Sequence, residues 1–195
     1  MLNFEILLII CVAYFFGSIP FGFILTKFIT GKDIRNIGSG NIGATNVLRS
    51  GNKLLAYITL LLDILKAVVP ILFIKFHFYN YLYLTSLCVF IGHVFPIWLK
   101  FKGGKGVATY LGILFCINYT TGLIFCLIWI SIFFIFKYSS LGSIVSSFFI
   151  PIFQYFYIQD PFYYFYFIMF IMIYYTHREN IKRLINKSES KTKIY

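Results

Sequence analysis

Apolar positions along this chain come in long blocks rather than in alternation. The blocks cover residues 4–25, 55–75, 80–99, 106–118, 120–136, 139–158 and 161–176, and charges, glycines or prolines separate them. Blocks of this kind predict membrane-crossing helices, so the expected fold is an all-α integral membrane protein, a compact bundle of about seven transmembrane helices. The fourth and fifth blocks fall short of the ~20 residues an upright helix needs across ~30 Å of hydrocarbon, so tilted or interior helices are expected there. The first block carries Glu5, lacks a basic leader and is not followed by a small-residue cleavage site, so it reads as a retained helix rather than a secretory signal. No repeat and no linker is visible, and residues 1–195 read as a single polytopic membrane domain.

Composition agrees with the pattern. Hydrophobic residues make up 60% of the 195 and charged residues only 12%, with a mean hydropathy of +0.85. That is too apolar for a soluble domain of this size. The 25 Phe and 16 Tyr exceed what a small aqueous core buries, but lipid-facing and interfacial helix surfaces accommodate them. Cys11, Cys88, Cys116 and Cys126 lie in apolar runs with no metal-ligand spacing and read as small hydrophobes.

Charge then orients the helices. Lys27, Lys32, Arg35, Arg49 and Lys53 follow the first block, Lys100, Lys102 and Lys105 follow the third, and Arg178, Lys182, Arg183, Lys187, Lys191 and Lys193 follow the last. With seven crossings these segments and Lys137 fall on one face, leaving Lys75 on the other and Lys66 within the membrane. Basic residues favour the cytoplasmic side, so the N-terminus is expected outside and the C-terminus inside. The net charge of +11 is mostly this asymmetry together with attraction for anionic lipid, and gives no support to nucleic-acid binding.

Three polar segments share the basic face. In "NIGSGNIGATNVLRSGN", residues 36–52, Gly38, Gly40 and Gly43 allow unusual backbone, while Ser39, Asn41 and Thr45 are good helix caps. A glycine-rich turn opening a short helix near Thr45 is expected, with N–H groups able to receive an anion. Asn46 and Arg49 would share one face of that helix. In "GHVFPIWLKFKGGKGVAT", residues 92–109, three lysines surround Gly103, Gly104 and Gly106, a combination suited to a backbone nest for phosphate. It is not a nucleotide loop, because Gly106 follows Lys105 and Leu99 stands where the first glycine is required. In "THRENIKRLINK", residues 176–187, His177 and Asn180 would lie together on a continuing helix, as would Glu179 and Lys182. Asp63 and Lys66 lie within the second block, where their spacing lets them pair or reach toward the polar segments.

Such a protein suits an enzyme joining a soluble phosphorylated substrate to a lipidic one. There is no H-x-x-x-x-D pair, no G-x-S-x-G elbow and no carboxylate cluster for magnesium, so an already activated donor is expected, with no cofactor and no metal.

At these three segments, and at "GSIPFG" and "LLDILK", the chain resembles the bacterial acyl-phosphate-dependent glycerol-3-phosphate acyltransferases, the PlsY family, over essentially its whole length. The resemblance implies transfer of an acyl chain from acyl phosphate to the 1-hydroxyl of glycerol 3-phosphate, giving lysophosphatidic acid and phosphate, the first step of bacterial phospholipid synthesis. It implies a site at the cytoplasmic face of the bacterial inner membrane and an upstream soluble enzyme that makes acyl phosphate. By the same resemblance Ser39, Arg49, Lys105, His177 and Asn180 carry the reaction. Gly40, Asn41, Thr45, Asn46, His93, Lys102, Gly103 and Gly104 bind substrate, and Glu179 is the structural glutamate of the third segment. The proton of the attacking hydroxyl goes either to His177 or to a substrate phosphate oxygen.

Two other classes compete. A carrier for a phosphorylated solute would also have cationic glycine loops, but carriers usually show internal repeats and midplane sites. A scaffold recruiting a soluble partner would have no need of Ser, Asn and His at these positions.

Overall fold

The computed structural model describes residues 4–192, and these are helical and connecting segments with no strand among them. Lys193 lies outside the described residues. The chain divides into two compact units, residues 1–117 and 118–195.

The first unit holds α1 (Phe4–Ser18), α2 (Phe21–Thr30), α3 (Ala44–Arg49), α4 (Lys53–His77), α5 (Leu82–Val94) and α6 (Val107–Ile117). The first apolar block becomes two helices because Pro20 has no N–H to continue the ladder, and at the break the Ile19 carbonyl accepts from both Phe21 N and Lys66. Within the unit α1 packs mainly on α5, and α4 on α6. Gly17 and Gly92 make the first of these contacts close: a Cβ on either would overlap backbone of the facing helix.

The second unit holds α7 (Tyr119–Phe136), α8 (Ser139–Phe153), α9 (Tyr163–Thr176) and α10 (Arg178–Ile185), with α8 packed against both α7 and α9. A row of serines on α8, including Ser143, Ser146 and Ser147, faces inward and bonds back to carbonyls of its own helix. Trp129 donates to Ser143 at 3.1 Å, and Gln154 to Thr121 at 2.5 Å, joining α7 to the α8 segment.

Burial is inverted relative to a water-soluble protein. Phe73, Leu127, Phe134, Ile135 and Ile171 are exposed, while Thr59, Asp63, Lys66, Thr85, Ser86, His93, Ser146 and Gln154 are buried. Lipid tails accept the first set, and within the second Lys66, Ser86, Ser146 and Gln154 donate to Ile19 O, Leu82 O, Gly142 O and the Thr121 hydroxyl. Among the described residues five helical segments are long and apolar enough to cross a membrane, and Val107–Ile117 and Tyr163–Thr176 are shorter apolar helices. The short fourth crossing was expected, but the fifth, α7, reaches 18 residues, and it is α9 that is short, at 14. Asp160 sets the start of α9: its carboxylate accepts from Phe162 N at 2.8 Å and from the Tyr166 hydroxyl at 3.0 Å, turning the chain before the helix can begin.

Candidate active site

The first unit carries two of the three polar segments. Asp33 caps the turn at Ile34–Asn36 and is clamped by Arg35, whose Nη2 donates at 2.6 Å; that side-chain bond holds its carboxyl down at about 2. Beyond it the chain loops through Gly38 and Gly40, both with positive φ, into α3. Asn46 organises this loop. Its buried amide donates to the carbonyls of Ile34, Ile37 and Asn41 at 3.2, 2.9 and 2.8 Å, and its Oδ1 accepts from Ser39 N at 2.9 Å. Asn46, expected to face substrate, is instead committed to the loop's own backbone. Asn41 Oδ1 accepts from Gly43 N at 2.9 Å, and Gly40 N donates to Ile37 O. Ser39 is exposed at the loop tip, while Thr45 and Arg49 on α3 are half-buried.

The second segment begins on α5 with His93 and leaves the helix through Pro96. Its oily half is fixed to α1: Tyr14 donates to Phe95 O at 2.8 Å and Trp98 to the Ser18 hydroxyl at 2.9 Å. Lys100 and Phe101 then turn the chain through two left-handed residues, φ 53° and 61°. The expected backbone nest does not form at Gly103 and Gly104. Their N–H groups donate to Val94 O and His93 O at 3.0 and 3.1 Å, satisfying carbonyls that α5 leaves unpaired at its C-terminus. The N–H groups of Ser39, Gly40 and Gly43 are likewise engaged, by Asn46 Oδ1, Ile37 O and Asn41 Oδ1.

Gly104 is required for a packing reason, since a Cβ there would overlap the His93 ring. His93, expected to bind substrate, lies buried beneath the loop, with Asp63 of α4 3.8 Å from its Nδ1. The two segments share a floor: Leu99, just before the second loop, packs in one buried cluster with Ile34, Ile42, Val47, Leu55 and Ala56. Apolar packing thereby fixes the two loops relative to each other. Lys102 is exposed and Lys105 half-buried.

The second unit carries the third segment. His177 stands between α9 and α10, buried, with its Nδ1 2.8 Å from Ile173 O. A ring nitrogen facing a carbonyl oxygen must carry the proton, which leaves Nε2 as the basic nitrogen. Asn180 is also buried, and its Nδ2 donates to Glu189 Oε1 at 2.7 Å. Glu189 further accepts from Ser140 Oγ at 2.9 Å and Arg183 Nε at 2.6 Å. Burial pushes this carboxyl up, but the hydrogen bonds from Arg183, Asn180 and Ser140 outweigh it and hold it below its ordinary range.

The expectation for Glu179 is corrected here. Its side chain is 59% exposed and pairs loosely with Lys182 at 3.4 Å, whereas the Glu189 side chain is 4% exposed. The structural glutamate is Glu189. Sequence reasoning passed over it; the one available signal was a lone acid in a basic tail, between Lys187 and Lys191.

Among the described residues no group of three or more His, Cys, Asp or Glu is placed to hold a metal ion.

The comparisons with known proteins agree with this architecture. The family model described as glycerol-3-phosphate acyltransferase matches residues 7–187. A glycerol-3-phosphate acyltransferase of Pelagibacter ubique is 60% identical over 191 residues, covering 98% of this chain and all of that one (100%). One from Rhodopseudomonas palustris is 46% identical, with 91% of each chain covered. The crystal structure of PlsY, an integral membrane glycerol 3-phosphate acyltransferase, in its glycerol 3-phosphate form superposes with a TM-score of 0.89 at 37% identity, covering 95% of this chain and 94% of that one. The lysophosphatidic acid form of PlsY gives a TM-score of 0.85 at 34% identity over the same shares.

Proposed function

This chain belongs to the glycerol-3-phosphate acyltransferase family, integral membrane acyltransferases of phospholipid synthesis, and we propose that its donor is acyl phosphate and its acceptor the 1-hydroxyl of glycerol 3-phosphate. The observation that carries the reading is the pair of loops on one apolar floor, with Ser39, Arg49, Lys102 and Lys105 as the cationic and hydroxyl groups around glycine-rich, nearly side-chain-free backbone. That chemistry suits a small phosphorylated molecule. The solved PlsY forms hold glycerol 3-phosphate and lysophosphatidic acid, a substrate and product of the same class.

In the proposed reaction the hydroxyl oxygen attacks the acyl carbonyl, a new ester C–O bond forms, and the bond from the acyl carbon to phosphate oxygen breaks. Phosphate is a good leaving group, so neither a protein nucleophile nor a metal is needed to activate the donor. Arg49 and Lys105 offset the phosphate charge of glycerol 3-phosphate, and Ser39 orients that substrate. Asn46 and Asn41 hold the first loop in shape, and Gly103 and Gly104 bring the second loop close without obstructing side chains. The hydroxyl proton passes to His177 Nε2 or to a phosphate oxygen, and Asn180 holds the turn that carries His177. The excess of basic residues on one side favours an N-terminus outside and these loops at the cytoplasmic face of a bacterial inner membrane. A soluble enzyme supplies the acyl phosphate.

The test is direct. Purified protein in detergent receives glycerol 3-phosphate with either palmitoyl phosphate or palmitoyl-CoA. Lysophosphatidate and phosphate are expected with the first donor alone. No product with either donor would overturn the reading, and equal use of palmitoyl-CoA would overturn the donor assignment.

A further inference from the structure

A charged pair inside a membrane-crossing helix is costlier than a well-packed apolar one, so its presence asks for a role. Asp63 and Lys66 on α4 are such a pair, with side chains 4% and 2% exposed and Lys66 Nζ 2.8 Å from Asp63 Oδ1. Both ends of the pair continue. Lys66 Nζ donates at 2.8 Å to Ile19 O, a carbonyl at the break between α1 and α2 that also accepts from Phe21 N at 3.1 Å. Asp63 Oδ1 lies 3.8 Å from His93 Nδ1, a nitrogen with no hydrogen-bond partner among the described residues. The far edge of the same imidazole is what a Cβ on Gly104 would strike, and the His93 carbonyl accepts from Gly104 N at 3.1 Å. An uninterrupted line of contacts therefore runs from Ile19 through Lys66, Asp63 and His93 to Gly104, the residue before Lys105.

We propose that Asp63 and Lys66 are positioning residues for the loop at Gly103–Lys105: the ion pair fixes the His93 ring, and the ring fixes the height and tilt of the loop. Neither charge touches substrate. Their effect reaches it through the placement of Lys105, so it falls on glycerol 3-phosphate recognition rather than on the acyl donor. The inference rests on the reading that this loop binds glycerol 3-phosphate.

The experiment compares Asp63→Asn, Lys66→Met, the double variant and Lys66→Arg with wild type, each purified in detergent and assayed with palmitoyl phosphate. The double variant is decisive, because it leaves no unpaired buried charge behind. Expected is a KM for glycerol 3-phosphate raised about tenfold or more in the double variant and each charge-removing single, with kcat within about threefold and the KM for palmitoyl phosphate unchanged. Lys66→Arg, which keeps the charge, restores a near wild-type KM. Lys75→Met serves as the control for stability alone: Lys75 Nζ donates to Cys116 O at 2.6 Å, toward the other end of α4. It lowers the unfolding temperature and leaves the KM unchanged. A double variant with unchanged KM, or one that no longer folds, assigns the pair a structural role and overturns the proposal. Wild-type protein that makes no lysophosphatidate would instead remove the functional reading on which it rests.

Discussion

Asn180 donates its side-chain amide to Glu189 Oε1 at 2.7 Å, so the third polar segment is closed by a carboxylate nine positions further on. Ser140 and Arg183 complete the ring of donors, binding the tail to α8 and α10. Glu189→Ala removes an acceptor shared by three donors and is expected to cost about 2–4 kcal/mol of stability, since hydrogen bonds to a charged group are worth roughly 1.5–3 kcal/mol and leave buried donors behind when lost. Glu179→Ala is expected within about 0.5 kcal/mol of wild type, as for most surface positions. Thermal unfolding of the purified variants measures both.

The same carboxylate sets an acid limit. Because its folded pKa is held below the unfolded value, the native state favours the charged form. The resulting stability is present in full above the ordinary carboxylate range and is lost as pH falls through the depressed folded value. The stability difference between wild type and Glu189→Gln is therefore expected to be constant from neutral pH down to about 5.5 and to shrink below about 4. Unfolding temperatures across that range read it. Asp33, held at about 2 by Arg35, follows the same sign, with its contribution lost only as pH falls toward that value.

The apolar blocks were legible because hydrocarbon imposes the requirement locally: a run long enough to cross must be apolar and helical whatever it packs against. The short helix α3 was legible for a similarly local reason, whereas the break at Pro20 fell inside a block read as a single helix. What stayed hidden depended on partners distant in sequence. Whether the N–H of Gly104 is available for an anion depends on His93 O, eleven positions back on α5, and no spacing rule reports that. Glu179 and Glu189 are chemically identical, and only the arrival of Ser140, Asn180 and Arg183 separates them. Asn46 looked like a ligand contact because its type and neighbourhood were right, but its amide had four partners in the loop itself.

Asn46→Ala tests that assignment. It removes the acceptor of Ser39 N and the donor to three carbonyls, so the loop loses the element that shapes it. Expected is a fall in kcat/KM of about 10²-fold or more, as Ser39 and Arg49 lose their placement. Asn46→Asp keeps Oδ1 but turns a second oxygen toward the carbonyls of Ile34, Ile37 and Asn41, and rescues little. If Asn46 acted on substrate alone, loop proteolysis would be unchanged in Asn46→Ala; accelerated cleavage between residues 36 and 43 is expected instead.

Gly104→Ala probes the second loop from above. The added methyl meets the His93 ring, which is itself buried against Asp63, so either the loop or the ring must move. Overpacking of a buried site costs typically about 1–3 kcal/mol, and displacement of Lys105 by an ångström is expected to lower kcat/KM about 10²-fold. A double variant with His93→Ala opens space for the methyl. If contact with the ring is the cause, the double variant is expected to lose less activity than the product of the two single losses, and steady-state kinetics on the three proteins decides it.

His177 addresses the proton. Its Nδ1 is held by Ile173 O at 2.8 Å, which selects the tautomer with a basic Nε2 and orients the ring without help from substrate. If Nε2 takes the hydroxyl proton, loss of the ring removes the base, whereas a residue that only shapes the junction of α9 and α10 can be replaced by another donor toward Ile173 O. His177→Ala is therefore expected to lower kcat by about 10²–10⁴-fold, the usual range for a general base, with the KM for glycerol 3-phosphate changed little. His177→Asn keeps a donor toward Ile173 O but offers no base, and is expected to unfold near the wild-type temperature while remaining as slow as His177→Ala. An unchanged kcat in either variant would give the proton to the substrate's own phosphate oxygen and leave His177 with a positional role.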